Sequence, residues 1–232
     1  MPTAIITGAS RGFGLALARD LAADGWKLVL DARGAAALDQ AVAAVRELGG
    51  QVTGLAGDVS DPAHRVALVE AARDLGGLDV LVNNASALGP SPLPGLATHP
   101  LDALAEVYAT NVVAPVGLVQ LALPMLTERG GVIVNVTSDA GVEAYEGWGG
   151  YGSSKAALDQ VSNVLAAEHP DLRVYAFDPG DMRTQMHQDA FPGEDISDRP
   201  DPASVVPALR RLVAQRLPSG RYRAADLHVA AP

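Results

Sequence analysis

Cysteine is absent from the 232 residues. That excludes disulfides, thiolate metal sites and a cysteine nucleophile. Lysine is scarce: of 17 basic residues only Lys27 and Lys155 are lysines. Positive charge is in deficit overall, with a net charge of −10. Neither nucleic acid nor an anionic membrane surface suits such a balance as partner. No uninterrupted apolar run approaches the ~20 residues of a membrane-spanning helix. No basic region or cleavage site separates Met1 from the first apolar segment. A cytoplasmic, soluble protein is expected. There is no His-Glu-x-x-His string to support a zinc hydrolase, and no metal site is expected. Repeats, low-complexity tracts and linkers are also missing, so residues 1–232 are read as one domain.

What the chain does have is alternation. It is 48% hydrophobic, enough for one well-buried α/β domain. Short apolar runs at about 4–7, 27–31, 52–56, 78–82, 131–137, 172–177 and 221–225 read as strands. Between them lie helical patterns, with 185–202 left as a long polar loop. Strands alternating with helices predict a doubly wound, Rossmann-type domain: about seven parallel strands with helices on both faces.

The first strand runs into Thr7-Gly8-Ala9-Ser10-Arg11-Gly12-Phe13-Gly14 and then a helix. A strand, a glycine-rich turn and a helix start expose backbone N–H groups to a phosphate. Gly8 permits the turn, Gly12 a close backbone approach, and Gly14 helix–strand packing. A plain tight turn is the alternative. The second strand ends in Asp31-Ala32-Arg33-Gly34, where a dinucleotide fold meets the adenosine ribose. Register places Ala32 at the position that discriminates the cofactors, with Arg33 just beyond. Together with Arg11 these favour a 2′-phosphate, hence NADP over NAD. The counter-reading gives the ribose to Asp31 and leaves Arg33 in solvent. Asp58, with Val59 beside it, follows the third strand and is either an adenine acceptor or a turn residue.

Further along, Asn83-Asn84-Ala85-Ser86 closes the fourth strand. Asn111 lies in a long helix, four residues before Pro115, which frees the Asn111 carbonyl and predicts a kink. Ser138 ends the fifth strand, as a donor to a substrate oxygen or as a cap. Tyr151 and Lys155 are one helical turn apart on the same face. An ammonium beside a phenol favours the phenolate, and the pair can then move a proton. The helix carrying them is apolar on several faces, which predicts a subunit interface. In the polar loop, His187 is a possible substrate contact but is read as solvated.

With these residues in place the chain resembles the classical short-chain dehydrogenases/reductases over nearly its whole length. Thr7 to Gly14 matches that family's Thr-Gly-x-x-x-Gly-x-Gly cofactor motif, and Asn83-Asn84-Ala85 its Asn-Asn-Ala-Gly motif, with Ser86 in place of the glycine. Asn111, Ser138, Tyr151 and Lys155 match its catalytic tetrad. Pro179-Gly180 with Thr184 matches the segment that meets the nicotinamide carboxamide. The resemblance implies Tyr151 as general acid–base, Lys155 as its partner on the nicotinamide ribose, Ser138 as donor to the substrate oxygen, and Asn111 as holder of a relay water. It also implies a small carbonyl or alcohol substrate and a homodimer or homotetramer.

The same tyrosine–lysine pair also suits dehydration or isomerisation, and the fold can serve a nucleotide-binding regulator. Tyr145, Trp148 and Met182 are the expected pocket residues, pointing to a substrate with apolar bulk. Family members often carry a longer tail beyond the seventh strand that helps close the pocket.

Overall fold

The computed structural model describes residues 1–227. The seven strands are β1 (Thr3–Ile6), β2 (Lys27–Ala32), β3 (Gln51–Ala56), β4 (Val80–Asn83), β5 (Val132–Val136), β6 (Arg173–Asp178) and β7 (Gly220–Arg223). They form one parallel sheet in the order β3-β2-β1-β4-β5-β6-β7. The doubly wound expectation therefore holds. Beyond β7 a short helical turn, Ala224–Leu227, closes the described chain.

Period-two alternation inside these short apolar runs builds two cores. Ala4 and Ile6 of β1, Val80 and Val82 of β4, and Val132, Val134 and Val136 of β5 face one side. There they meet α1 (Gly12–Ala23) and α2 (Ala35–Arg46). Ile5, Leu81 and Ile133 face the other side and meet α3 (Pro62–Asp74). The central strands β1, β4 and β5 are buried along their whole length, because both their faces are covered.

A helical stretch, Leu101–Arg129, corrects the reading of apolar runs: by length and composition it is apolar enough to span a membrane. Its composition has a local cause. It comprises α4 (Leu101–Tyr108), a π-type turn at Ala109–Val113 and α5 (Ala114–Arg129). Leu118, Val119, Ala122 and Leu126 of α5 are fully packed into the second core. Where the kink is expected the helix has a π turn, in which the Ala114 N–H reaches back five residues to the Ala109 carbonyl. After β5 comes α6 (Gly149–Glu168), which carries Tyr151 and Lys155.

The segment read as a polar loop contains a helix, α7 (Gln185–Ala190). Thr184 caps it, its side-chain oxygen accepting from the His187 N–H at 3.2 Å. The last long helix, α8 (Val206–Gln215), returns to the first core. Crossovers run outward from β1 on one side and from β4 on the other. The connections leaving the carboxyl ends of those paired strands therefore diverge and open a crevice, where α/β sheets bind ligands.

Candidate active site

That crevice is a cleft of about 760 Å³. Gly8, Ser10, Arg11, Gly12 and Phe13 line one part of it, and Ala32, Arg33, Asp58 and Val59 another. Asn84, Ala85, Ser138, Tyr145, Trp148, Tyr151, Lys155, Pro179, Gly180, Met182 and Thr184 complete the predicted residues found in its wall. Three predicted residues are not in the wall, and each is buried behind it. Thr7 is 2% exposed; its hydroxyl oxygen accepts from the Asn84 and Ala85 N–H groups at 3.0 and 2.9 Å. Gly14 packs under the turn, where a Cβ would lie 2.5 Å from the Asn84 amide nitrogen and 2.7 Å from the Gly8 carbonyl. Asn111 is 1% exposed.

The fit of a dinucleotide can be read from the backbone. Helix α1 starts at Gly12 with no side chain capping its first N–H groups, which leaves donors and the helix dipole for an anion. Gly12 has φ +58°, a conformation that side chains disfavour. Asn84 fixes the turn from below, its amide donating to the Thr7 and Gly8 carbonyls at 2.8 and 3.1 Å. Gly180, at φ +72°, faces open space. A phosphate-bearing cofactor is accommodated by this cradle.

At the ribose end, Arg11 and Arg33 are both exposed along the cleft. Asp31 also touches the cleft, yet its side chain is 2% exposed and its carboxyl lies 3.5 Å from His64 of α3. Burial, with the charge of Asp58 adding to it, pushes Asp31 up to about 7 against the pull of Arg33. Burial correspondingly lowers His64. The His64 ring occupies the space a side chain at Gly57 would need. Asp58 closes an Asx turn, accepting from the Ser60 N–H at 2.8 Å, and still reaches the cleft wall. The turn reading is the one the structure shows, with Asp58 still lining the cleft.

At the other end, Ser138 caps the turn Asp139–Gly141, accepting from Ala140 N–H at 3.2 Å. It donates to Asp139 at 3.0 Å. Lys155 donates to the Val136 carbonyl at 2.8 Å, and its Nζ lies 5.3 Å from the centre of the Tyr151 ring. Burial brings Lys155 down to about 8. Burial also raises the Tyr151 phenol above its ordinary value, although the hydroxyls of Ser86 and Ser138 favour its ionised form. The expected lowering of the phenol by the ammonium is not seen: burial is the largest influence on Tyr151.

Ser86, which stands where the resembling family has glycine, is part of the site. It donates to Asn111 Oδ1 at 3.1 Å and also faces Tyr151. Asn111 Oδ1 accepts as well from Ala87 N–H at 2.7 Å, and its amide donates to the Ala87 carbonyl and Ser154 Oγ, each at 2.9 Å. The Asn111 side chain is thus saturated by protein.

Sequence reasoning missed the apolar wall made by α7 and its neighbours. Met186, His187 and Phe191 line the cleft. Trp148 packs edge-on to Tyr151 and tilted against Phe191, at 5.7 and 5.8 Å between ring centres. His187 is not solvated: its side chain is 9% exposed, against Phe191 and 3.7 Å from Asp181. The signal was Thr184, an N-cap residue, followed by a short helix-compatible run. The glycine turn also spells Gly-x-Ser-x-Gly, as nucleophile turns do. Among the described residues Ser10 has no histidine hydrogen-bonded to it, so a serine-hydrolase reading lacks its base.

Comparison with known proteins places this geometry. The family model described as short chain dehydrogenase matches residues 2–195. Serine 3-dehydrogenase of Rhizobium radiobacter is 35% identical over 188 residues, covering 79% of this chain and 73% of that protein. Sepiapterin reductase of Meriones unguiculatus is 36% identical over 200 residues, covering 79% and 75%. Among solved structures, the alcohol dehydrogenase of the archaeon Thermococcus sibiricus, complexed with 5-hydroxy-NADP, superposes with a TM-score of 0.86 at 28% identity, covering 96% of this chain and 95% of that one.

Proposed function

We propose the following reading for a chain that belongs to the short-chain dehydrogenase family and is therefore an NAD(P)-dependent oxidoreductase: it interconverts a carbonyl compound and its secondary alcohol with NADP(H), and Tyr151 is the acid–base group. The observation that carries it is the convergence of Ser138, Tyr151 and Lys155 in one cleft with the glycine turn and Gly180. The bound nicotinamide supplies or accepts the hydride. The protein's own part is protonic and positional. Ser138 and Ser86 place hydroxyls against the reacting oxygen and the phenol. Tyr151 gives its proton to the nascent alkoxide, or takes it from the alcohol. Its raised proton affinity suits the reducing direction, in which it begins as the acid. Lys155, anchored on the Val136 carbonyl, keeps a positive charge near the phenolate that results.

Arg11 and Arg33 support NADP over NAD, since two exposed cations flank the ribose end and Asp31 is turned into the protein toward His64. The apolar wall of Leu88, Trp148, Met186 and Phe191 supports a substrate with hydrophobic bulk. The same reading gives the outer face of α5 and α6 to a second copy of the chain.

The test is a fluorescence titration with NADPH followed by turnover on a panel of ketones and aldehydes. Tyr151→Phe should bind NADPH as the parent does and lose ~10²–10⁴-fold in kcat. An active Tyr151→Phe variant would remove the acid–base assignment. Tight NADPH binding by the parent with no carbonyl reduced would remove the reductase reading.

A further inference from the structure

We infer that Arg221 is a positioning residue of this site: its guanidinium joins the strand end bearing Ser138, the strand end bearing Asp178 and the helix bearing Tyr151 and Lys155, and neutralises the two carboxylates behind the acid–base pair. The inference rests on the reading of Tyr151 and Lys155 given above.

Arg221 lies on the edge strand β7, paired with Ala176 of β6. One of its terminal nitrogens donates to the Ser138 carbonyl at 3.1 Å and to Asp178 Oδ2 at 2.9 Å. Its Nε donates to Asp159 Oδ2 at 3.1 Å. Three separate pieces of the cleft therefore meet on one planar fork. Asp159 is one helical turn beyond Lys155 and two beyond Tyr151, on the same face of α6. Asp178 divides its carboxylate: Oδ1 accepts from the Gly180 N–H at 3.0 Å and so braces the loop, while Oδ2 takes the arginine. The carboxylates are 12% and 4% exposed and the arginine 24%. Water screens such a group weakly, and an unpaired carboxylate there is costly.

The arrangement is electrostatic as well as mechanical. The charged groups facing Tyr151 and Lys155 are Asp139 from the turn after β5, Asp178 from β6, and Asp159 from α6. Asp178 and Asp139 hinder ionisation of the phenol, and Asp159 strengthens the hold of Lys155 on its proton. Arg221 is bonded to two of these three. Removing it leaves both carboxylates uncompensated, so both members of the pair bind their protons more tightly. A lysine in its place keeps the charge but cannot reach three acceptors with one rigid fork.

The test is the pH dependence of kcat/KM for carbonyl reduction in folded, NADPH-binding variants, checked by thermal melting and NADPH titration. Arg221→Met should lose about 10–100-fold in kcat, and the ionisation assigned to the pair should move up by on the order of one pH unit. Arg221→Lys should lose activity with the profile nearly unmoved. Asp159→Asn should move the profile the opposite way, to lower pH, and decides the matter if Arg221→Met does not fold. A profile of folded Arg221→Met that superposes on the parent's, or no downward shift in Asp159→Asn, overturns the inference. Tyr151→Phe run in parallel separates the two failures. If it stays active the premise is gone, and this inference goes with it. If it is inactive while the Arg221 and Asp159 profiles do not move, only the role of Arg221 is lost.

Discussion

Asp31 is the residue at which local chemistry and cofactor choice meet most directly. An acid at the end of β2 would ordinarily accept the ribose hydroxyl, but here the carboxyl is buried and turned toward His64. Held up to about 7 by burial, it is largely neutral below that pH and becomes charged above it. The sign follows: raising the pH places a negative charge close to the 2′-phosphate of NADPH and weakens its binding. Asp31→Asn should therefore bind NADPH several-fold more tightly than the parent at pH 8 and about equally at pH 6. The ligand's own titration is common to both proteins and cancels. Arg33→Ala, in the same titrations, should weaken NADPH by ~10–100-fold, the worth of a lost charge-assisted hydrogen bond, and leave NADH nearly unchanged. Equal effects on the two nucleotides would count against Arg33 as the phosphate ligand. The positions of Arg33, Tyr151 and Lys155 were legible because each follows from register or helical spacing. The burial of Asp31 was not, because it depends on His64, which arrives from a different helix.

At the scale of elements, the strands and long helices were legible because period and punctuation agree there. Asp61 and Pro62, a residue type that caps and one that suits the first helical position, start α3, with the Asp61 side chain accepting from Ala63 N–H at 2.9 Å. Helix α7 was not legible. At six residues it is too short to show a period, and prolines and charges beyond it mark a loop. What holds it is its cap and the contact of Phe191 with Trp148 and His187. The same residue, Thr184, was expected to serve the cofactor. In the structure it caps α7 and also lies against the glycine turn, 3.5 Å from where a Cβ on Gly12 would be. Thr184→Val should therefore loosen α7 by about 1 kcal/mol. Since α7 walls the substrate end, KM for the carbonyl compound should rise roughly five-fold, with faster amide exchange confined to residues 185–190. Unchanged exchange there would show that the cap is dispensable.

For the whole molecule, the alternation of strands and helices carried the fold, while the order of the sheet came from the structure. The apolar composition of Leu101–Arg129 has two readings at this scale, and the structure separates them: one side of α5 is spent on the sheet, the other is left over. That remaining side continues onto α6. Val116, Ala157, Val161, Val164 and Leu165 line a shallow groove there, with Gln160 and a single charged residue, Glu168, beside them, and Leu121 and Val164 are 37% and 43% exposed. A chain with net charge −10 repels its own copies over most of its surface, so association requires a face on which charge is sparse, and this face meets that condition. A two-fold contact there would bring α5 and α6 against the same helices of a second copy, the self-complementary arrangement of a closed dimer. Sedimentation velocity at micromolar concentration should accordingly give a dimer or tetramer for the parent. Val164→Asp, which plants a charge in the centre of the groove, should shift it toward a smaller species without altering NADPH binding, because the cleft lies at the carboxyl ends of the strands and the groove on the outer surface of the helices. A parent that sediments as a monomer would show that the face is not an interface between copies.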